Sequence, residues 1–503
     1  MLGLLAAGCL YHLCPFSARG WFLTAGSLAL IAAGGKQALF FLFVTVLSTW
    51  CGGLMLEQIE KKPKSQDPAR RKQEKAKRIR QKKRIAAGIL LLNFGLLVLL
   101  RHHAELVNIA AEKGLRFPRL FMPIGISFYT FMAMGYLLDV YRAKIPAEKN
   151  PFKVAAFVSF FPHLLEGPIG RYDQLAGQLW KGHRVDLEDM ERGLLRIAWG
   201  LFKKKVVADR ALSAVQAVFD GGGEKSGILL LMGLLLYSLQ QYADFSGGID
   251  LVLGGARLMG IHLAENFRQP YFADSLGDFW RRWHITLGAW MRDYVFYPFA
   301  LSSPVQKICK RVKKIPGGKY LSRTLPAVLG NILVFFLVGI WHGTTVNYAL
   351  WGLYNGIILA CSALFEPAFK RWGQRHPVAN STPFHIFRIL RTFVIVNLGW
   401  IFDRSLYRSA FEMLRILFNP MRFGSFKAAA QTLGLTGSSA LILLYGTVLL
   451  FLVSFMKEKG KDPYNWLMEL HVPVRWCLLL GFLVSTVFLF EAGITEGFLY
   501  AAF

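Results

Sequence analysis

Charged residues are scarce in this 503-residue chain, and acidic residues are the scarcest of them. Only 18% of the residues are charged, with 31 Asp and Glu against 59 Lys and Arg, whereas 54% are hydrophobic. Mean hydropathy is +0.37. A soluble domain ordinarily carries about 25% charged residues, many of them on its surface. The shortage therefore argues against a chain of two or three soluble domains.

Cysteine is also uncommon, with six residues that form neither a C-x-x-C pair nor a metal-like pattern with histidine. Most of them lie in or beside apolar runs, where a thiol is a small buried hydrophobe. This spacing indicates neither a disulfide framework nor a metal site.

Long apolar runs are what the sequence has in abundance. They fall at about 1–16, 20–34, 37–56, 86–101, 119–138, 226–254, 284–301, 326–342, 345–364, 388–402, 438–456 and 475–497. About 20 apolar residues make one helical span, and in lipid a helix satisfies its own backbone groups. We expect an all-α polytopic membrane protein, a single domain over 1–503 with about 10–12 transmembrane helices. The first run lacks the basic start of a secretory signal, so we expect it to stay as a membrane segment.

Two shorter amphiphilic stretches, 153–166 and 188–202, are too interrupted for confident spans. We expect short re-entrant or interfacial helices there.

The net charge of +28 is placed between the apolar runs, which favours a membrane topology signal over nucleic-acid binding. Residues 57–84 are expected to form a basic cytoplasmic loop, because Lys61 to Arg84 holds 13 Lys and Arg against two acidic residues. The basic stretches at 307–323 and 203–205 should share that side, which places His342 toward the outer half of the membrane. The basic loop is either a solvated tether or a contact for anionic lipid.

His342 stands apart among the eleven histidines because it lies between two apolar stretches in ILVFFLVGIWHGTTVNYALWGLYNG, residues 332–356. Ionisable residues at that depth cost about 2.5–3.5 kcal/mol to insert, so each is a functional candidate. Imidazole is the side chain whose ordinary pKa suits a general base for a hydroxyl. Gly339 and Gly343 would let a helix or a substrate chain approach closely. The alternative is a histidine that only hydrogen-bonds a neighbouring helix.

A second candidate segment is DFWRRWHITLGAWMRDYVFYP, residues 278–298. Its apolar and aromatic side chains recur at helical spacing, which predicts one helix with His284 inside the stripe Trp280, Trp283, His284, Leu287 and Met291. Arg281 and Arg282 fit a helix that enters from a charged interface.

A third segment, residues 237–271, brings Asp244 and Asp250 near membrane depth beside Ser246. The glycine pair at 247–248 would break the helix and expose backbone groups to a polar cavity. A bare carboxylate there suggests an ion or proton path, so a transporter remains an alternative function.

Six blocks follow one another between positions 123 and 356, about half of the chain. They are PIGISFYTFMAMGYLLDVYR (Pro123–Arg142), FPHLLEGPIGRY (Phe161–Tyr172), GLFKKKVVAD (Gly200–Asp209), YADFSGGIDLVLGGARLMGIHLAENF (Tyr242–Phe267), FWRRWHITLGAWMRDY (Phe279–Tyr294) and GIWHGTTVNYALWGLYNG (Gly339–Gly356). In sequence and order this core motif region, 123–356, resembles the membrane-bound O-acyltransferase family, in the bacterial branch of alginate O-acetylation and teichoic-acid D-alanylation proteins.

The resemblance implies that His342 is the catalytic histidine and that His284 is a second histidine lining the same central tunnel. It implies acyl transfer from a cytoplasmic donor, acetyl-CoA or another acyl thioester, to an envelope polysaccharide outside a bacterial plasma membrane. A separate extracytoplasmic partner protein would complete the transfer, and neither a bound cofactor nor a metal is expected. Asn355 stands where family members often carry a histidine. The ending GFLYAAF resembles that of the polysaccharide-acetylating members, which favours acetyl over D-alanyl transfer.

Further side chains of these blocks are expected to contact substrate or line the tunnel: Trp341, Asp244, Ser246, Trp280, Arg281, Arg282, Arg292, Asp293 and Asn347. Two alternative functions remain. One is D-alanyl transfer to teichoic acid from an acidic acyl carrier protein, which a chain of charge +28 would attract. The other is a transporter that uses Asp244 and Asp250.

Overall fold

The computed structural model describes residues 2–63, 65–115, 120–221, 224–404, 407–491 and 497–498. Within these ranges the regular elements are helices, and the β-type pairing is one isolated bridge between Phe267 and Trp283. The predicted all-α membrane class is confirmed. Most of the GFLYAAF ending lies outside the described residues.

The chain divides into two compact units, of which unit 1 comprises residues 1–197 and 251–264. Its helices are α1 (Leu2–Leu13), α2 (Arg19–Ala33), α3 (Lys36–Lys61), α4 (Pro68–Arg101), α5 (His103–Glu112), α6 (Ile126–Tyr141), α7 (Pro151–Ser159), α8 (Phe161–Glu166), α9 (Tyr172–Lys181) and most of α10 (Leu187–Leu201). Helix α4 begins where the Asp67 carboxylate accepts hydrogen bonds from the first free amides and Pro68 fixes the first turn. The segment predicted as a basic loop, 57–84, is therefore largely helical.

Unit 2 comprises residues 198–250 and 265–502. Its helices are α11 (Asp209–Phe219), the first part of α12 (Gly227–Leu258), α13 (Leu276–Arg282), α14 (Ile285–Met291), α15 (Tyr297–Ala300), α16 (Ser303–Val312), α17 (Gly318–His342), α18 (Val346–Arg375), α19 (Thr382–Arg404), α20 (Tyr407–Leu417), α21 (Phe426–Thr432), α22 (Gly437–Glu458), α23 (Pro463–Glu469) and α24 (Val472–Phe488). Two π-helical segments, Phe202–Ala208 and Arg292–Phe296, interrupt this α-helical pattern.

Eight helices among the described residues are long and apolar enough to cross a membrane: Phe16–Ala33, Lys36–Lys61, Pro68–Arg101, Gly227–Leu258, Gly318–His342, Val346–Arg375, Thr382–Arg404 and Gly437–Glu458. Gly3–Leu13 and Val472–Phe488 are shorter apolar helices. Two expected runs behave differently. The run at 119–138 ends in the short helix α6, which is buried on nearly all sides, and the run at 284–301 is divided among short helical pieces.

The glycine pair at 247–248 does not break its helix, so that prediction is wrong. Helix α12 is continuous, and a Cβ added to Gly247 would lie 3.0 Å from the carbonyl oxygen of Gly200. The small residue serves close helix packing here.

Helices α17 and α18 form an antiparallel hairpin whose connection is only residues 343–345. Glycine allows the two backbones to touch, since a Cβ on Gly339 would lie 2.2 Å from the Tyr348 carbonyl oxygen. A Cβ on Gly352 would lie 2.3 Å from that of Phe335. The close approach predicted around His342 is therefore made by the partner helix of the same hairpin, and it fixes the tip on which His342 sits.

Candidate active site

His342 is the last residue of α17 and is only 6% exposed. Gly343 follows in an extended conformation and turns the chain toward α18. The imidazole is held by aromatic rings: Trp351 meets it edge-on at 5.2 Å between centroids, and Trp341 lies 4.8 Å away. A histidine in this setting has one fixed orientation and little water around it.

His284 lies at a break between two helices, which corrects the prediction of one continuous helical stripe. Helix α13 ends at Arg282, Trp283 is extended and paired with Phe267, and His284 adopts left-handed angles, φ 48° and ψ 51°. A residue with a Cβ costs about 1–2 kcal/mol in that region. Helical periodicity cannot reveal such a turn, and strained positions of this kind cluster at functional sites.

The break at His284 is fixed by the backbone and side chain of Asn266. The amide of Ile285 donates to the Asn266 carbonyl at 3.0 Å. The amide and hydroxyl of Thr286 donate to the side-chain oxygen of Asn266 at 3.0 and 2.9 Å. Because a backbone amide can only donate, the side-chain atom that faces it must be Oδ1.

Asn266 thereby sets the tautomer of His284. Nδ1 of the ring lies 3.3 Å from the same Oδ1, which already serves as an acceptor, so Nδ1 carries the proton. Burial lowers the pKa of His284 to about 3, so the ring is neutral near pH 7. Its Nε2 then carries the lone pair and can accept a hydrogen bond.

Trp341 brings the two histidines into one site. Its ring centroid lies 6.4 Å from that of His284 and 4.8 Å from that of His342. All three side chains are less than 10% exposed. We refer to His284, Trp341 and His342 as the histidine pair site. A buried imidazole such as His342 can take and return a proton in surroundings that exclude competing water, whereas His284 stays neutral near pH 7.

Asn355 supports the aromatic wall of this site. Its Oδ1 accepts from the indole nitrogen of Trp280 at 3.2 Å, and its Nδ2 donates to the Trp351 carbonyl at 2.9 Å. Trp280 in turn packs edge-on against Trp351. Asn355 therefore positions two tryptophans, of which Trp351 contacts His342.

The three arginines that were expected to contact substrate or line the tunnel, Arg281, Arg282 and Arg292, each lie beside a carboxylate. Arg282 is bound at 2.7 Å by both Asp278 and Glu458, and Arg281 is exposed beside Asp278. Arg292 is also exposed and pairs with its neighbour Asp293. Each of these three arginines forms an ion pair with a nearby carboxylate.

Asn347 is buried in the first turn of α18, close in sequence to the hairpin tip.

Asp244 and Asp250 are not bare carboxylates. Asp250 pairs with Lys203 and Asp244 with Lys204, and Ser246 accepts a hydrogen bond from Lys203 at 2.8 Å. These lysines, expected in a basic loop, are buried in the π-helical segment Phe202–Ala208. Pairing lowers the cost of burying these charges. The ion pairs therefore explain the buried carboxylates without an ion path.

The sequence interpretation missed a further polar cluster, in which the Asp403 carboxylate accepts from Tyr237 at 2.5 Å and Gln241 at 2.8 Å. Tyr237 also packs edge-on against Trp400, whose ring stacks on Trp351. The signal was an acidic residue directly after the apolar run 388–402.

Comparison with known proteins concerns the family of this chain. Residues 141–310 match the model of MBOAT, the membrane-bound O-acyltransferase family. A probable alginate O-acetylase AlgI of Pseudomonas syringae pv. tomato is 34% identical over 347 residues, which cover 68% of this chain and 60% of that protein. A peptidoglycan O-acetyltransferase of Helicobacter pylori is 32% identical, over 57% of this chain and 54% of that protein.

A teichoic acid D-alanyltransferase of Bacillus subtilis is 28% identical, over 55% of this chain and 67% of that protein. The chain spans 60% or less of the length of the first relatives it matches. Family model, ordered sequence blocks and helical membrane architecture agree, and the resemblance is confirmed: the chain contains a domain, residues 141–310, of the membrane-bound O-acyltransferase family.

Proposed function

We propose that this protein is a multi-pass membrane O-acyltransferase of the bacterial plasma membrane that moves an acetyl group toward a hydroxyl of a cell-envelope polysaccharide. The single observation that carries the proposal is the histidine pair site, with two buried imidazoles within reach of one indole. Relatives named as alginate and peptidoglycan O-acetylating proteins favour acetyl and a polysaccharide.

The transfer step needs a base and then an acid. His342 takes the proton of the acceptor hydroxyl as its oxygen attacks the thioester carbonyl, and a new C–O bond forms. The C–S bond breaks, and the departing thiolate receives the proton from His342. A positioned base of this kind contributes about 10²–10⁴-fold to the rate. Neutral His284 offers Nε2 as a hydrogen-bond acceptor, so its role is to orient a hydroxyl or N–H group of a substrate.

The hydroxyl that first receives the acetyl group belongs to the polysaccharide itself or to an extracytoplasmic partner protein that completes the transfer.

The test uses purified protein in nanodiscs with acetyl-CoA labelled in the acetyl group. Wild type is compared with His342→Ala and with His385→Ala, a matched change at an exposed histidine of α19. We expect release or transfer of label by wild type and His385→Ala, and loss of both in His342→Ala. Normal product formation by a well-expressed His342→Ala variant would remove the catalytic assignment.

D-alanyl transfer to teichoic acid is the second candidate, and the D-alanyltransferase relative favours it. It requires a thioester on an acidic carrier protein in place of acetyl-CoA. Turnover with a D-alanyl carrier protein and none with acetyl-CoA would select this candidate.

A further inference from the structure

A cleft of about 360 Å³ lies in unit 1, at the basic start of α4. It is lined by Glu60 of α3, Tyr141 of α6, and a stripe of α4 made of Arg71, Glu74, Lys75, Arg78, Ile79 and Lys82. Its volume falls within the range of small-molecule sites. None of these residues belongs to the histidine pair site.

Four cations of the cleft share one helix face. Arg71, Lys75, Arg78 and Lys82 follow one another at intervals of four, three and four residues, the spacing that places side chains in a row along a helix. Other basic residues of the same turns, such as Lys72 and Arg80, do not line the cleft. The sequence alone shows a run of basic residues. The helix places some of them at the cleft and the others on different faces.

The deeper cations are already neutralised. Lys82 pairs with Glu60 at 2.6 Å. Arg78 lies 3.7 Å from Glu74 and donates to the Lys62 carbonyl at 2.8 Å. Both carboxylates of the cleft are therefore engaged.

The cations at the rim have no such partner. Among the residues that the structure describes, no carboxylate lies within ion-pair distance of Arg71 or Lys75. These two side chains are one helical turn apart and exposed. They offer two positive charges to an anion, which suits two linked phosphates.

An apolar wall lies beside the cations. The Tyr141 ring has the ammonium of Lys82 5.3 Å from its centroid, and Ile79 lines the same cleft. Lys82 therefore covers one face of the ring, and the rest of the ring together with Ile79 provides apolar contact for a flat base. The combination suits a nucleotide better than inorganic phosphate.

The position of the rim favours a soluble ligand over a lipid. Lys75 and Arg71 precede Ile85, where the continuous apolar part of α4 begins, by 10 and 14 residues. At 1.5 Å per residue they lie about 15 and 21 Å beyond the hydrocarbon boundary, and more than about 10 Å even with strong tilt. The head-group region is only about 5–8 Å deep on each side.

We propose that this cleft binds a soluble nucleoside diphosphate group, with the diphosphate between Arg71 and Lys75 and the base against Tyr141. The site is additional to acyl transfer and does not rest on that function. Its test measures binding alone, so failure here leaves the acyltransferase proposal standing.

The experiment titrates ADP into the full-length protein in nanodiscs of zwitterionic lipid, by calorimetry. The variant Arg71→Gln/Lys75→Gln is compared with Lys72→Gln/Arg80→Gln, which removes the same charge from the same helix outside the cleft. We expect wild type to bind ADP, the first variant to raise Kd about tenfold or more, and the control to change it less than about threefold. Pyrophosphate should bind more weakly than ADP, because it has no base.

Three outcomes would overturn the proposal. Absence of ADP binding to wild type removes the site, and equal losses in both double variants reduce it to the general positive field of α4. The third is retention of phosphatidylglycerol, measured by native mass spectrometry from anionic nanodiscs, that depends on Arg71 and Lys75 while ADP does not bind. That result would identify a lipid head-group site.

Discussion

The side-chain oxygen of Asn266 lies 3.3 Å from Nδ1 of His284 and thereby decides which ring nitrogen carries the proton. The same oxygen holds both the amide and the hydroxyl of Thr286. One asparagine therefore fixes the tautomer of the imidazole and the left-handed turn that points it into the site.

Replacing Asn266 by alanine should lower acetyl transfer by about 10–100-fold, the range known for metal-bound histidines that lose the partner of their other ring nitrogen. Asn266→Asp should retain more activity than Asn266→Ala, because a carboxylate oxygen still accepts from Nδ1 and Thr286. The measurement is label transfer from acetyl-CoA in nanodiscs. Asn93→Ala, which removes a buried amide bonded to Ser48, is the control. Equal activity of the two alanine variants would show that Asn266 does not position His284.

His342 could be named as a candidate from the sequence, because an ionisable residue between apolar stretches is costly to insert into a membrane. Its helix was predicted over 326–342 and extends over Gly318–His342. His284 was also named as a candidate, but the break in the helix at this residue was not predicted. The stripe from Trp280 to Met291 has helical spacing, whereas the bridge from Trp283 to Phe267 and the bonds from Asn266 override it. Those partners lie more than ten residues away, outside any local pattern.

The buried charges illustrate the same limit. Asp244 and Asp250 looked bare because periodicity compares residues within one segment, while Lys203 and Lys204 lie at least 40 residues earlier. The lysines in turn were expected at the cytoplasmic surface, since three consecutive cations are typical of that side of a membrane protein. Each misreading has one cause, the pairing between distant segments.

Breaking the pair of Lys203 and Asp250 should destabilise the protein severely. Asp250→Asn leaves a buried cation with its partner removed, which costs about 3–5 kcal/mol. The double variant Lys203→Met/Asp250→Leu should recover most of that loss, since an apolar pair needs no compensation. Thermal unfolding in detergent measures both. Glu366→Gln, which breaks an exposed ion pair with Lys370, should change nothing measurable. A double variant less stable than Asp250→Asn would contradict the structural role.

The contact between α17 and α18 predicts opposite effects for two equivalent substitutions. Gly352→Ala places a Cβ 2.3 Å from the Phe335 carbonyl oxygen, so the helices must separate, at a cost of about 1–3 kcal/mol or more. Gly95→Ala in α4 meets no described atom within 4 Å and should be neutral or stabilising, because alanine is the better helix former. The readouts are unfolding temperature and acetyl transfer, both reduced only by Gly352→Ala. Normal unfolding and activity of Gly352→Ala would refute the tight hairpin.

The last prediction concerns His163, a buried histidine that was not among the candidates named from the sequence. It is 1% exposed in α8, and neither ring nitrogen has a hydrogen-bond partner among the described residues. Burial beside the Phe160 ring lowers the pKa of His163 to about 3, against 6.5 for an ordinary histidine. Between these values the unfolded chain binds a proton that the folded chain does not.

The stability that depends on His163 is therefore fully present above about pH 6.5 and is lost as the pH falls toward 3, at up to about 1.4 kcal/mol per pH unit. His163→Leu removes this group, so its unfolding temperature should fall less steeply than that of wild type between pH 6.5 and 4.5. It should also unfold at a higher temperature at neutral pH, since an unsatisfied buried polar group is gone. Exposed His385→Leu should follow the wild-type pH curve. Parallel curves for wild type and His163→Leu would mean that His163 is hydrated or already protonated in the folded protein.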